Sequence, residues 1–272
     1  MTSTPSAETA VRVVADTRRF FVTAALLFLG SAALTMSWCA SMSAMPGMDM
    51  PGGWTMSMAW MRMPDQSWVG AAVAFLAMWV VMMVAMMLPS LVPMLRRYRQ
   101  AVGRAGDARL DRLTALVGFG YFLVWTVFGL AAFPLGVALA AVAMQQPALG
   151  RAVPLAVGAV ILIAGCLQFT AWKLRHLACC REAPGRGCTL PADAGTAWRH
   201  GLRLGLHCSQ CCASLMAVLL VIGVMDLRVM AVVGAAIAVE RLAPAGDWVA
   251  RATGAVAIGA GLFLIAQASV LG

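Results

Sequence analysis

Residues 207–212 read His-Cys-Ser-Gln-Cys-Cys, near the start of the apolar run "GLHCSQCCASLMAVLLVIGVM". Thiolate sulfur and imidazole nitrogen are the ligands that soft and borderline metal ions select. The pair Cys208 and Cys211 also forms Cys-x-x-Cys, which can cycle between dithiol and disulfide. On a helix, at about 100° per residue, His207, Cys208, Cys211 and Cys212 fall within an arc of about 140°, with Met216 one turn beyond Cys212. One rigid helix cannot close a tetrahedron around an ion, so a second segment must complete any shared ligand sphere. The stretch "CLQFTAWKLRHLACCREAP" offers His176, Cys179 and Cys180 at the same expected membrane level, with Cys188 further along. Cys39 and Cys166 stand apart and read as small packing residues, and His200 reads as interfacial.

A second soft-ligand pattern lies upstream. Residues 41–67 carry Met42, Met45, Met48, Met50, Met56, Met58, Met61 and Met63, eight methionines in 27 residues. Thioether sulfur is uncharged, needs no deprotonation and suits Cu(I) or Ag(I), whereas Zn(II) prefers thiolate and imidazole. Thioethers also keep their ligand character where paired cysteines would oxidise. The other reading is an apolar flap anchored on the membrane by Trp54, Trp60 and Trp68; the two readings are compatible. Met78, Met82 and Met86 recur every four residues and share a helix face that Met83 and Met87 widen. That stripe serves either helix packing or the passage of a soft cation.

The elements that would hold these groups are membrane spans. The chain is 62% hydrophobic and 11% charged, with a mean hydropathy of +0.85; a soluble domain is about 25% charged. A span needs about 20 apolar residues. The pattern predicts an all-α, polytopic transmembrane bundle of about seven helices, near 20–40, 68–88, 113–143, 152–172, 204–225, 228–243 and 252–271. The third contains Pro134 and is expected to kink or end in a re-entrant turn. The sixth is short. The whole chain is expected to form a single integral membrane domain. Residues 1–19 would be a cytoplasmic tail, 41–67 a periplasmic Met-rich loop, and 173–203 a cytoplasmic loop. The basic stretch 89–112 is expected as a partly helical loop at the headgroups.

The formal charge of +9 does not indicate nucleic acid, because the basic residues sit between apolar segments rather than on a soluble face. With the N-terminus cytoplasmic, 17 of the 20 Lys and Arg fall in inside segments; the exceptions are Arg62, Arg151 and Arg228. The first apolar run is longer than a usual signal-peptide core and reads as a retained helix. Glu240, beside Arg241, reads as a local ion pair near the headgroups.

The stretch from Gly201, "GLRLGLHCSQCCASLMAVLLVIGVMDLRVMAVVGAAIAVERLAP", resembles the hallmark of a bacterial family of predicted metal-binding integral membrane proteins (domain of unknown function 2182). "AMWVVMMVAMMLPS" resembles its Trp/Met-rich second helix. "AGCLQFTAWKLRHLACCREAP" resembles its Gly-x-x-Gln, Lys and Cys-Arg-x-x-Pro block. The resemblance covers most of Trp79 to Pro244 and implies a multi-pass inner-membrane protein in which Cys180, Cys208 and Cys211 match family cysteines. His176 stands where the family often has another cysteine, and Ala213 and Ser214 stand where it has a tryptophan. The resemblance adds topology and a metal, not a reaction.

Three functions are compatible with these residues. The first is handling of a soft metal ion, Cu(I) before Zn, by uptake, transfer or delivery, with the lipid bilayer as surroundings and a metallochaperone or membrane metalloenzyme as partner. The second is a membrane thiol-redox enzyme. The third is a structural or assembly subunit holding a structural metal. The first is not an enzyme, and its ligands would be the Cys/His cluster, the Met-rich loop and the Met face.

Overall fold

The computed structural model describes residues 7–43, 47–62, 66–103, 106–182, 184–185 and 189–271. Among these, eight α-helices follow one another: α1 Ala7–Ser43, α2 Trp68–Val102, α3 Asp107–Gln145, α4 Pro147–Leu167, α5 Ala171–Glu182, α6 Ala194–Ile222, α7 Leu227–Leu242 and α8 Gly246–Leu271. In lipid each backbone polar group must be satisfied within the protein, so apolar segments of this length fold as helices. Six of them, α1 to α4, α6 and α8, are long and apolar enough to cross a membrane. The protein is an all-α membrane helix bundle.

The expected seven spans thus become six long apolar helices and the shorter α7. With 16 residues, α7 is about 24 Å long, less than the roughly 30 Å of a hydrocarbon core. It still runs the depth of the site. Its N-cap Asp226 lines a cleft with Met42 and Met56, and Arg241 in its last turn reaches Ser90 on α2.

Three other expectations change. The stretch 89–112 is not a headgroup loop: α2 continues to Val102 with Pro89 and Pro93 inside it, and α3 starts at Asp107. Neither does α3 break at Pro134; it continues to Gln145. The supposed loop 173–203 is mostly α5 and the first turns of α6. Proline inside a membrane helix is tolerated where neighbouring side chains satisfy the freed carbonyls.

The two ends of the bundle differ in chemistry. At one end Arg99 pairs with Asp16 and Asp111, each at 2.7 Å, and Arg109 donates to the Ala192 carbonyl. At the other lies a short antiparallel hairpin of β1 Met48–Met50 and β2 Trp54–Met56. The hairpin folds onto the bundle rather than spreading over lipid. Trp54 Nε1 donates to the Gly150 carbonyl at 2.9 Å, and Trp60 packs against Phe75 with ring centroids 5.3 Å apart. Trp68 alone of the three expected anchors is well exposed.

The core between these ends is rich in sulfur. Met82, Met83, Met86, Met87, Met94, Met216 and Met230 are buried in one cluster with Cys180, Cys208, Cys211 and Cys212.

Candidate metal centre

Helix α6 carries three of the cysteines, and its placement starts at its N-terminus. The Asp193 side chain caps the helix by accepting from the Thr196 amide at 2.8 Å. Those hydrogen bonds hold its carboxyl below the usual range. Two turns on, α6 meets α3 backbone to backbone. A Cβ on Gly201 would lie 2.4 Å from the Val117 carbonyl oxygen, and one on Gly205 would lie 2.9 Å from that of Tyr121. Only glycine permits this approach, and it brings Tyr121 Oη to 2.9 Å from Cys208 Sγ.

Helix α5 completes the site from the other side. The chain breaks after α4 at Gln168, and α5 then lays Lys173 and Cys180 against α6. Lys173, with 2% of its surface exposed, donates from Nζ to the Cys211 carbonyl at 2.6 Å and to Glu240 Oε2 at 2.7 Å. Gln168 Nε2 donates to the other carboxylate oxygen at 2.9 Å. A buried cation and carboxylate held in this way satisfy each other, and here they tie α4, α5, α6 and α7 around the cysteine turn. Arg181 reinforces the link by donating to the Ala243 and Pro244 carbonyls.

The sulfurs converge. Cys180 Sγ lies 3.4 Å from Cys211 Sγ, Cys211 Sγ lies 3.6 Å from Cys212 Sγ, and Cys208 Sγ lies 3.8 Å from Cys212 Sγ. Cys208, Cys211 and Cys212 form a group whose ligand atoms all lie within 4.8 Å of one another. Sulfurs bound to one ion at about 2.3 Å are about 3.8–4.0 Å apart; the three α6 sulfurs come close to that spacing and their donor type suits a soft ion, while Cys180 reaches the group through Cys211. All four cysteines are buried. In Cys180, which lies outside the long spans, the hydrogen bond to Cys211 and burial push the thiol up.

Arg241 supplies the charge. It is 4% exposed, and it donates from Nη1 to Cys208 Sγ and to Ser90 Oγ, both at 3.0 Å. Nη2 lies 3.1 Å from Met94 Sδ. Among the described residues it has no carboxylate partner. A buried guanidinium without a counter-ion is strongly destabilising, and the groups this one touches include Cys208 Sγ, Ser90 Oγ and Met94 Sδ. The expected Glu240–Arg241 pair does not form: Glu240 turns to Lys173, and Arg241 turns to the sulfur cluster.

The remaining candidate residues divide by position. The rings of His176 and His207 are neighbours, 6.2 Å apart centroid to centroid and tilted by 37°. Cys179 is exposed and points away from the cluster. Met216 is buried one turn beyond Cys212. His200, expected at an interface, stacks on Tyr98 at 5.3 Å. On α2, Met82, Met83, Met86 and Met87 are buried and Met78 half-buried. Met86 packs on α7 at Gly234. In the hairpin Met50 and Met56 turn into the bundle, Met48 is exposed, and Met61 packs beside them. Met42 and Met56 line an open cleft of about 460 Å³ with Met225 and Asp226. Met45, Met63 and Cys188 lie outside the described residues, as does the side chain of Met58.

Sequence reasoning passed over Tyr121, Lys173, Glu240 and Arg241 as parts of the site. By its charge Lys173 reads as a topology signal, although the Gly-x-x-Gln and Lys pattern of the resembling block, Gly165, Gln168 and Lys173, contains two partners of Glu240.

Fold and site together define a multi-pass membrane protein with a buried candidate centre for a metal ion. The family model of PpoB2, a copper chaperone, matches residues 76–264, and the chain belongs to that family. The match runs from α2 into α8 and contains all four clustered cysteines, while α1 and the hairpin precede it. No curated protein and no solved structure matches the chain.

Proposed function

We propose that the protein is a bacterial inner-membrane copper handler that takes up Cu(I) at its methionine-rich end and holds it at the cysteine cluster. It passes the ion to a metallochaperone or membrane metalloenzyme at the charged end. The observation that carries this reading is the convergence of sulfur from α5 and α6 beside a buried guanidinium. Several thiolates on a monovalent ion leave net negative charge, and Arg241 offsets it in a buried site. Zn(II) brings one more positive charge, so the same thiolates leave one negative charge fewer.

The methionines supply the approach. The cleft between Met42, Met56 and Met225 presents neutral sulfur beside the Asp226 carboxylate. From Met78 to Met94 the buried thioethers of α2 run about 24 Å, ending at the Arg241 guanidinium and thus beside Cys208. Thioethers bind Cu(I) weakly enough to release it and thiolates bind it more firmly, so affinity rises along the way. The positive-inside rule puts the charged end in the cytoplasm.

The test is elemental analysis of anaerobically purified protein, wild type against Cys208→Ser/Cys211→Ser/Cys212→Ser. Copper bound to wild type, with the sulfur-bound ion lost from the variant, is the expected result. Zinc in its place marks a structural centre, and unchanged metal content removes the cluster from the function.

A thiol-redox role is the second reading, favoured by the 3.4 Å contact of Cys180 and Cys211 across two helices. It predicts a trappable mixed disulfide with a small-molecule thiol; a cluster that stays fully reduced under mild oxidant rejects it.

A further inference from the structure

The two histidines do not share the sulfur layer. His176 precedes Cys180 by one helical turn, and His207 precedes Cys211 by one turn. Where the cysteines meet at 3.4 Å, the imidazoles stand 6.2 Å apart, centroid to centroid, with 37° between their planes. The Nδ1 atom of each is buried and has no hydrogen-bond partner among the described residues. Leaving such an atom unpaired in the interior is costly, and here two occur on neighbouring helices. Trp172, one turn before His176, covers that ring edge-on at 4.7 Å.

The separation has a chemical match. Metal–imidazole bonds are about 2.0–2.1 Å, and a ring centroid lies about 1.1 Å behind its nitrogen. Two opposed imidazoles on one ion therefore have centroids about 6.3 Å apart. Linear two-coordination by neutral nitrogen suits Cu(I) and leaves no room for the four-ligand cage that Zn(II) favours. Both rings are half-buried whereas the cluster sulfurs are sealed, so the rings are the accessible neighbours of an enclosed store.

We propose that His176 and His207 form a second, imidazole-only Cu(I) station, distinct from the cysteine cluster, through which the ion is exchanged with an acceptor. The identity of the ion rests on the function proposed above; the division into two sites rests on the geometry alone.

The test is anaerobic titration of the detergent-purified full chain with Cu(I), followed by X-ray absorption, on three proteins. Wild type is expected to bind two ions, one with sulfur and one with nitrogen neighbours. His176→Gln/His207→Gln is expected to keep the sulfur-bound ion, which also reports that it is folded, and to lose the other. Release from its cluster to a Cu(I) chelator should be slower than from wild type. Cys208→Ser/Cys211→Ser/Cys212→Ser is expected to keep one nitrogen-bound ion. A His variant that binds and releases copper as wild type does overturns the second station, as does a nitrogen signal that survives the double substitution. Full copper in the Cys variant, with a normal loss in the His variant, instead overturns the cluster's role and leaves the station standing.

Discussion

Arg241 donates a hydrogen bond to Cys208 Sγ at 3.0 Å, while its neighbour Glu240 turns away to Lys173 at 2.7 Å. Adjacent residues on one helix point about 100° apart, so α7 can offer the carboxylate to α5 and keep the guanidinium for the sulfurs. The result is a neutral buried ion pair that braces the site and a separate guanidinium that, among the described residues, has no carboxylate partner and charges it.

Removing that charge should weaken the metal site. Arg241→Gln is expected to lower Cu(I) affinity by about tenfold to a hundredfold, measured by competition with a Cu(I) chelator under anaerobic conditions. Arg241→Lys should recover part of the loss, since it keeps the charge but not the fork that spans Cys208 and Met94. Equal affinities in all three proteins would show that the guanidinium does not compensate the cluster.

The Lys173–Glu240 pair should behave as a structural brace. Breaking a buried pair from one side costs about 3–5 kcal/mol, so Lys173→Met and Glu240→Gln should each lower the melting temperature in detergent. Lys173→Met/Glu240→Leu should recover much of it. Additive losses in the double variant would mean that the two residues act independently.

The α3–α6 contact is expected to be equally intolerant. Gly201→Ala sets a methyl 2.4 Å from the Val117 carbonyl and must separate the helices. Overpacking of this kind costs about 1–3 kcal/mol. It should also carry Tyr121 off Cys208, detectable as faster alkylation of the cysteines by a thiol reagent. Unchanged melting and alkylation would place the helices further apart than 2.4 Å allows.

One pH effect follows from the α6 cap. Hydrogen bonds from Thr196, first from its amide, depress the Asp193 carboxyl in the folded state below its ordinary value of 3.8. A depressed acid stabilises the fold above the unfolded value and loses that contribution as pH falls through the folded one. Wild type should therefore lose stability below pH 3.8 relative to Asp193→Asn, which keeps a neutral cap. Parallel melting curves for the two proteins down to pH 3 would contradict this.

The legible part of the architecture was the part set by hydropathy. Long apolar runs fix α1 to α4, α6 and α8, because a span must satisfy its own backbone. Charge misled at the ends: the arginines of 89–112 mark polar surface, but surface can be helical, and α2 carries Arg96, Arg97 and Arg99 on its last turns. Pro134 marked a possible end of the helix, but proline can sit inside a membrane helix, and α3 runs through it to Gln145. In the site, residue type alone singled out Cys180, Cys208, Cys211 and Cys212. Their partners were hidden, because Lys173, Glu240 and Arg241 are ordinary charges until the fold buries them, and Tyr121 sits 87 residues from Cys208. Glu240 beside Arg241 looked like a pair because adjacency in sequence is visible and helical divergence is not.

The most direct test of the account is copper X-ray absorption on wild type and on Cys180→Ser, both loaded with one equivalent of Cu(I). If sulfurs from α5 and α6 grip one ion, wild type shows sulfur neighbours at about 2.3 Å, and the substitution removes one of them. An unchanged spectrum in Cys180→Ser, or nitrogen and oxygen neighbours alone in wild type, would contradict a centre shared between the two helices.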